Sequence, residues 1–384
     1  MSDTAARVFE REALDDLLAA LRRRRYTVIG PTVRDQAIVY GEISSTEQLP
    51  ASWSDEQEGG RYRLRRRDDE ALFMHNAGPQ SFKHLLFPPV LSVWKARRSD
   101  GDVEFDAAKP PPRYAFVGVR ACDLHAIAIQ DRVFMGDRYT DRDYEARRRE
   151  AFIVAVNCAQ AGATCFCVSM GTGPKAQAGY DLALTELLDD GGHRFLAEVG
   201  SDRGAEVLDE LLHRAADPAD VQAAEDLIAR TAASMGRTLD TDGIKELLYD
   251  NAEHPRWDEV SQRCLTCGNC TLACPTCFCS TVEDVTDLTG TETERTRLWD
   301  SCFTSEHSYI HGGSVHGSPR SRYRQWMTHK LASWIDQFGS SGCVGCGRCI
   351  TWCPVAIDIT EEAAAIRASD MRDQPPGARA DAHR

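Results

Sequence analysis

The sequence predicts an α+β fold: an N-terminal α/β domain over residues 1–215, a helical linker over 216–256, a cysteine-dense C-terminal domain with a long insertion over 257–362, and a disordered tail over 363–384. Three observations predict it. Apolar strand patterns alternate with helical ones up to about residue 215. A polar helical stretch, DPADVQAAEDLIARTAASMGRTLDTDGIKELLYDNAEH, follows. Cysteines then crowd the chain between Trp257 and Glu362.

The elements follow in order. Leu14, Leu17, Leu18 and Leu21 recur at helical spacing, and Arg22 to Arg25 close that helix at its negative end. YTVIGPTVRDQAIVYGEI reads as two short strands around a proline turn. SWSDEQEGGRYRLRRRDDE is polar and contains glycine, without an assigned element. KPPPRYAFVGVRACDLHAI passes from a proline-rich boundary into a strand, Tyr114 to Val119, then a cysteine-bearing loop and a helix. AFIVAVNC repeats the format, with a strand from Phe152 to Val156 and Cys158 just beyond it. SDMRDQPPGARADAHR lacks an apolar pattern and reads as disordered.

Of the 384 residues, 15 are cysteine, and the formal net charge is −14. No window is apolar enough for a transmembrane helix, and the acidic, spaced N-terminus does not read as an export signal. An acidic chain is a poor fit to sequence-independent nucleic-acid binding. These features predict a cytoplasmic protein whose cysteines serve metal or redox chemistry. No G-x-G-x-x-G follows a strand and no P-loop occurs; GTGPK at Gly171 to Lys175 is too short to cradle a phosphate.

Two runs carry the chemistry. Cys264, Cys267, Cys270, Cys274 and Pro275 form one; Cys343, Cys346, Cys349, Cys353 and Pro354 form the other. Both read C-x2-C-x2-C-x3-C-P, the run in which three thiolates hold one [4Fe–4S] cube and the fourth reaches the other cluster. The C-terminal domain therefore reads as a bacterial-type 2[4Fe–4S] ferredoxin-like unit, with Thr276 to Gly342 as its insertion. By the crossed rule Cys264, Cys267, Cys270 and Cys353 hold cluster 1, and Cys343, Cys346, Cys349 and Cys274 hold cluster 2. The alternative is a pair of zinc ribbons, which need only C-x2-C pairs and leave the third and fourth cysteines unexplained.

Cys122, Cys158, Cys165 and Cys167 lie upstream, four being the number a third [4Fe–4S] cube needs. The alternative is buried structural thiols. Cys277, Cys279 and Cys302 remain, and read as packing around the cluster, with ligand substitution as the other option. His307, His311 and His316 read as a loop. Arg320, Arg322, Arg324 and Lys330 either offset cluster charge or form a solvated helix face, and Arg65 to Arg67 and Arg147 to Arg149 read as solvated helix flanks.

RCLTCGNCTLACPTCFCS, LWDSC, HGGS, YRQWMTHKLASW and GCVGCGRCITWCPVAIDIT together resemble the β (electron-transfer, iron–sulfur) subunit of NAD(P)-linked group 3 [NiFe] hydrogenases and sulfhydrogenases. The same stretches resemble the iron–sulfur electron-transfer subunit of anaerobic sulfite reductase. GVRACDLHAI, VNC and CFC fit as well, so the resemblance covers most of residues 80–362. It implies a non-catalytic subunit of an oxidoreductase complex. Electrons would pass reversibly between the [NiFe] hydrogenase small and large subunits and a partner subunit that holds FAD and binds NAD(P). In the sulfite reductase reading a siroheme subunit is the terminal partner. The third reading is a non-redox zinc-binding interaction module.

The crossed rule is testable. Cys353→Ser should perturb the EPR signal and iron of the cluster assigned to Cys264, Cys267 and Cys270. A change confined to the Cys343 cluster would overturn the crossing.

Overall fold

The computed structural model of the chain describes residues 6–370, apart from 77, 100, 101, 107–109, 137 and 191. Its centre is an eight-stranded mixed sheet in the order Arg214–Ala215, Arg7–Glu10, Gly192–Val199, Leu182–Asp189, Phe152–Val156, Tyr114–Val119, Thr27–Arg34, Ala37–Glu42. The four strands from Leu182–Asp189 to Thr27–Arg34 run parallel to one another, and the flanking pairs are antiparallel. Phe152–Val156 is buried at every position. That is the signature of a central parallel strand covered on both faces.

Both covers follow from apolar spacing. The helix Ala13–Arg23 buries Leu14, Leu17, Leu18 and Leu21 completely, and they pack with Val117, Val154, Leu184 and Phe195 on one face. On the other face, Leu124 and Ile127 of the helix Ala121–Phe134 join Phe82, Tyr144, Phe116 and Ile153. Cys122 and Cys158 thus follow the carboxyl ends of neighbouring parallel strands, where loops converge.

The Thr27–Arg34 and Ala37–Glu42 strands do form a hairpin, but the turn is not at proline. Asp35 and Gln36 both take positive φ, 50° and 60°, whereas Pro31 sits inside the first strand opposite Tyr40. Parallel pairing of that strand ends at Ile29, so the missing proline amide interrupts nothing on that side. Trp53–Glu58 and Arg61–Arg66 make a second hairpin, which places Arg65 and Arg66 on a strand and not beside a helix. Arg147 to Arg149 lie in the last turn of the helix Arg142–Glu150.

Helices Pro218–Ala233 and Ile244–Asp250 lead to the C-terminal part. There Trp257, Tyr323, Trp326, Met327, Ile350 and Ile366 share a separate core. The helix Ile359–Ala368 continues past residue 363, where sequence alone starts the tail. Its Ile359, Ala363 and Ile366 lie at helical spacing and are buried, a pattern masked by the intervening alanines and charges. Residues 371–384 of the expected tail lie outside the described residues.

Two features tie the halves together. The insertion folds into strands Ser280–Thr286 and Glu292–Trp299, and the second pairs antiparallel with Val90–Ser99, which pairs in turn with Asp102–Phe105. One four-stranded sheet is thereby built from segments far apart in the chain. Secondly, Arg348 in the second cysteine run forks onto Asp123 beside Cys122, with N–O distances of 2.8 and 3.0 Å, and donates to the Gly78 carbonyl at 3.2 Å. The Arg348 and Asp123 side chains are 0% and 2% exposed.

A buried ion pair is costly to break from one side. Arg348→Leu should destabilise the chain by about 3–5 kcal/mol because Asp123 is left buried and unpaired. The double change with Asp123→Leu should recover most of that loss in a thermal-melt double-mutant cycle. Additive losses would show that the pair is not coupled.

Candidate metal centre

Cys264, Cys267, Cys270 and Cys353 line one cavity, whose wall includes Phe303, Tyr323, Trp326 and Ile357. The short helix Asn269–Leu272 presents Cys270, and Gly268 before it takes φ 77°. Cys353 arrives from the second run, and so does Cys349, so the cavity holds the whole first crossed set together with one cysteine of the second. Tyr323 Oη and Trp326 Nε1 are buried, without a hydrogen-bond partner, and belong to residues of this wall. Two unpaired donors in an apolar pocket fit an acceptor there, as the sulfides of a cluster would be.

The second crossed set is also gathered. Cys343, Cys346 and Cys274 lie within electrostatic reach of Cys349, as does Cys270 of the first set. Burial pushes Cys343 up to about 12 and Cys349 well above the ordinary thiol range. Cys274 is the exception: a hydrogen bond with Cys277 lowers it most, and Lys330 and Lys83 add to this against burial. The Lys330 Nζ donates to Cys274 Sγ at 3.1 Å from a π-helical turn, His329–Ser333. Such turns recur at functional sites. The neighbouring arginines point elsewhere: Arg320 and Arg324 pair with Glu253, and Arg322 donates to the Phe303 and His316 carbonyls. Of that basic group Lys330 faces the thiols.

The upstream cysteines meet the second run directly. The Phe166 amide donates to the Gly345 carbonyl at 2.8 Å, and the Thr172 hydroxyl to the Val344 carbonyl at 2.6 Å. A Cβ on Gly347, where φ is 73°, would lie 2.4 Å from the Thr164 carbonyl oxygen; only glycine fits this approach. Cys122, Cys165 and Cys167 each lie within electrostatic reach of Cys346, and Cys158 within reach of Cys165 and Cys167. Burial raises all four thiols, Cys167 to about 12. Arg120, itself buried, braces the loop beside Cys158 through the Val156, Asn157, Phe73 and His75 carbonyls.

A buried thiol ionises only when a cation compensates it. Here burial holds most of these thiols protonated, and iron would supply the missing charge, as metal binding that releases protons does. Among the described residues no three His, Cys, Asp or Glu side chains converge as ligands of one metal ion.

Residues 263–357 match the family described as a 4Fe-4S dicluster domain. The sulfhydrogenase 2 subunit beta of Pyrococcus furiosus is 33% identical over 254 residues, covering 64% of this chain and 72% of that protein. The chain belongs to the hydrogenase β-subunit family. It carries a dicluster domain for two [4Fe–4S] clusters and is an iron–sulfur electron-transfer protein. No solved structure matches it. No described helix is long and apolar enough to cross a membrane.

Sequence reasoning about ligands does not find Arg348, Asp123, Arg120, Tyr323 or Trp326. Asp123 and Arg348 each adjoin an expected ligand in sequence, which is the available signal. Tyr323→Phe tests the orphaned hydroxyl. In the iron-free chain it should raise the melting temperature, because a buried unpaired hydroxyl costs about 1–3 kcal/mol. In the loaded chain it should lower the potential of one cluster in a redox titration. An unchanged potential would show that the hydroxyl does not reach the cluster.

Proposed function

We propose that this chain relays electrons, in either direction, between the [NiFe] catalytic subunits of a cytoplasmic hydrogenase and a partner subunit that holds a flavin and binds NAD(P). The β-subunit relative supports a place in a multi-subunit complex. What carries the relay reading is the adjacency of the thiol sets. Cys270 of the first set neighbours Cys349 of the second, and Cys346 of the second neighbours Cys122, Cys165 and Cys167. The second set therefore lies within reach of each of the other two.

In this reading Cys264, Cys267, Cys270 and Cys353 hold cluster 1, Cys343, Cys346, Cys349 and Cys274 hold cluster 2, and Cys122, Cys158, Cys165 and Cys167 hold cluster 3. Such clusters, when bound, accept and release single electrons. The protein's part is to place them and to set their surroundings. Lys330 puts a positive charge against Cys274, and the Ile357 amide donates to Cys353 Sγ at 3.3 Å. Both favour the reduced state. Arg348 places a second cation within reach of both Cys346 and Cys122. The Gly-rich dinucleotide fingerprint is missing from the sequence, which fits NAD(P) binding by another subunit.

Anaerobic purification of the assembled complex, with metal analysis, tests this. About twelve iron per chain are expected for three cubes and about eight for two. Cys122→Ser should remove about four iron and leave the dicluster signals. Eight iron in the wild type would sink the third cluster. A nickel-containing pair of partners is expected; a siroheme partner in its place would overturn the hydrogenase assignment.

A further inference from the structure

Cys277, Cys279 and Cys302 are left after the three sets are filled. Two of them belong to an arrangement of their own. The Asp300 amide donates to the Cys279 carbonyl at 2.9 Å, one step beyond the Ser280–Trp299 pair. The strand ladder thus fixes Cys279 opposite Asp300, and Cys302 follows two residues later. Asp300 organises the loop after it. Its Oδ1 accepts from the Ser301 amide at 2.6 Å and the Thr304 hydroxyl at 2.8 Å. Its Oδ2 accepts from His307 Nδ1 at 2.8 Å. A carboxylate only accepts, so His307 Nδ1 carries the hydrogen and Nε2 is the free edge. Cys279 lies within hydrogen-bond reach of both His307 and Cys302. Cys279, Cys302 and His307 are each half-buried and not sealed in the core. The four side chains do not converge as ligands of one ion.

We propose that Cys279 and Cys302 form a thiol–disulfide exchange site for small accessible disulfides, in which Cys279 attacks, Cys302 resolves, and His307, held by Asp300, handles the proton. The arrangement is a nucleophile, a base and an orienting carboxylate, with a second thiol alongside. The contact with Cys302, then His307, lowers Cys279 to about 4 against the opposing effect of burial. The bond to Cys279, then Asp300, raises His307 to about 9, again against burial. At neutral pH the two stand as thiolate and imidazolium, the reactive form of a cysteine.

The chemistry balances. Cys279 Sγ attacks one sulfur of R–S–S–R; the S–S bond breaks, one R–S⁻ leaves, and it takes the proton from His307. Cys302 then gives its proton to the now neutral His307, and its thiolate attacks Cys279 Sγ. The mixed disulfide breaks, and the second R–S⁻ leaves with that proton. Two thiols become one disulfide, and R–S–S–R gains two electrons and two protons as two RSH. The reverse reaction reduces the site with a small thiol.

The test uses the anaerobically purified full chain with its iron, and 4,4′-dithiodipyridine as the disulfide. Released thiopyridone, iron content and a peptide map are read together. A Cys279–Cys302 disulfide at unchanged iron is expected. Cys302→Ser should stop at a mixed disulfide on Cys279, and His307→Gln should slow the first release at pH 7 by about tenfold or more. A disulfide to any other cysteine, or no disulfide at full iron occupancy, overturns the proposal. Loss of iron in Cys279→Ser overturns it too, by making Cys279 a metal ligand. The wild-type peptide map alone decides the pairing if a variant does not fold.

Discussion

The fork of Arg348 onto Asp123 is the interaction on which the rest of the centre depends. Arg348 sits between Cys346 and Cys349, and Asp123 follows Cys122. Joining the two side chains joins the second cysteine run to the helix Ala121–Phe134. The loop around Cys165 and Cys167 then closes on Gly345 and Gly347 with no room for a side chain. Neither charge could be buried alone, so the pair enforces one register between the two halves. Distances between redox groups are set by such registers.

Charge explains the remaining cations. A core holding so many thiolates would repel itself unless positive groups were interleaved. Lys330 lies against Cys274, and Lys83 reaches in from the α/β half to the Cys277 carbonyl while stacking on Trp299. Burial lowers Lys83 to about 8, partly offset by the nearby Cys277 and Cys274. Its charge is therefore worth most where the thiols are ionised. The acidic chain surface and this basic lining are opposite solutions to different problems: solubility outside, compensation within.

What sequence shows, and what it does not, divides by range of interaction. The dicluster domain is legible because cluster spacing is written in consecutive residues. The strands Tyr114–Val119 and Phe152–Val156 are legible from unbroken apolar runs, and the helix Ala13–Arg23 from its leucine spacing. The turn at Asp35–Gln36 is hidden because proline is the louder signal, although two residues at positive φ suit a tight hairpin better. Arg348 and Asp123 could not be paired without the fold, since nothing local distinguishes a buried arginine from a solvated one. The helix through residue 363 escapes for the reverse reason: its apolar face is too short to stand out from the alanines and charges around it.

The shared four-stranded sheet has a consequence for synthesis. Val90–Ser99 leaves the ribosome long before Glu292–Trp299, the strand that completes its edge. Until then the strand Val90–Ser99 presents an open ladder on the side that Glu292–Trp299 later takes. Non-local pairing of this kind is slow to form. The nascent chain therefore carries an open edge until Glu292–Trp299 has been made. The two halves, although distinct in composition, mature as one unit and not one after the other.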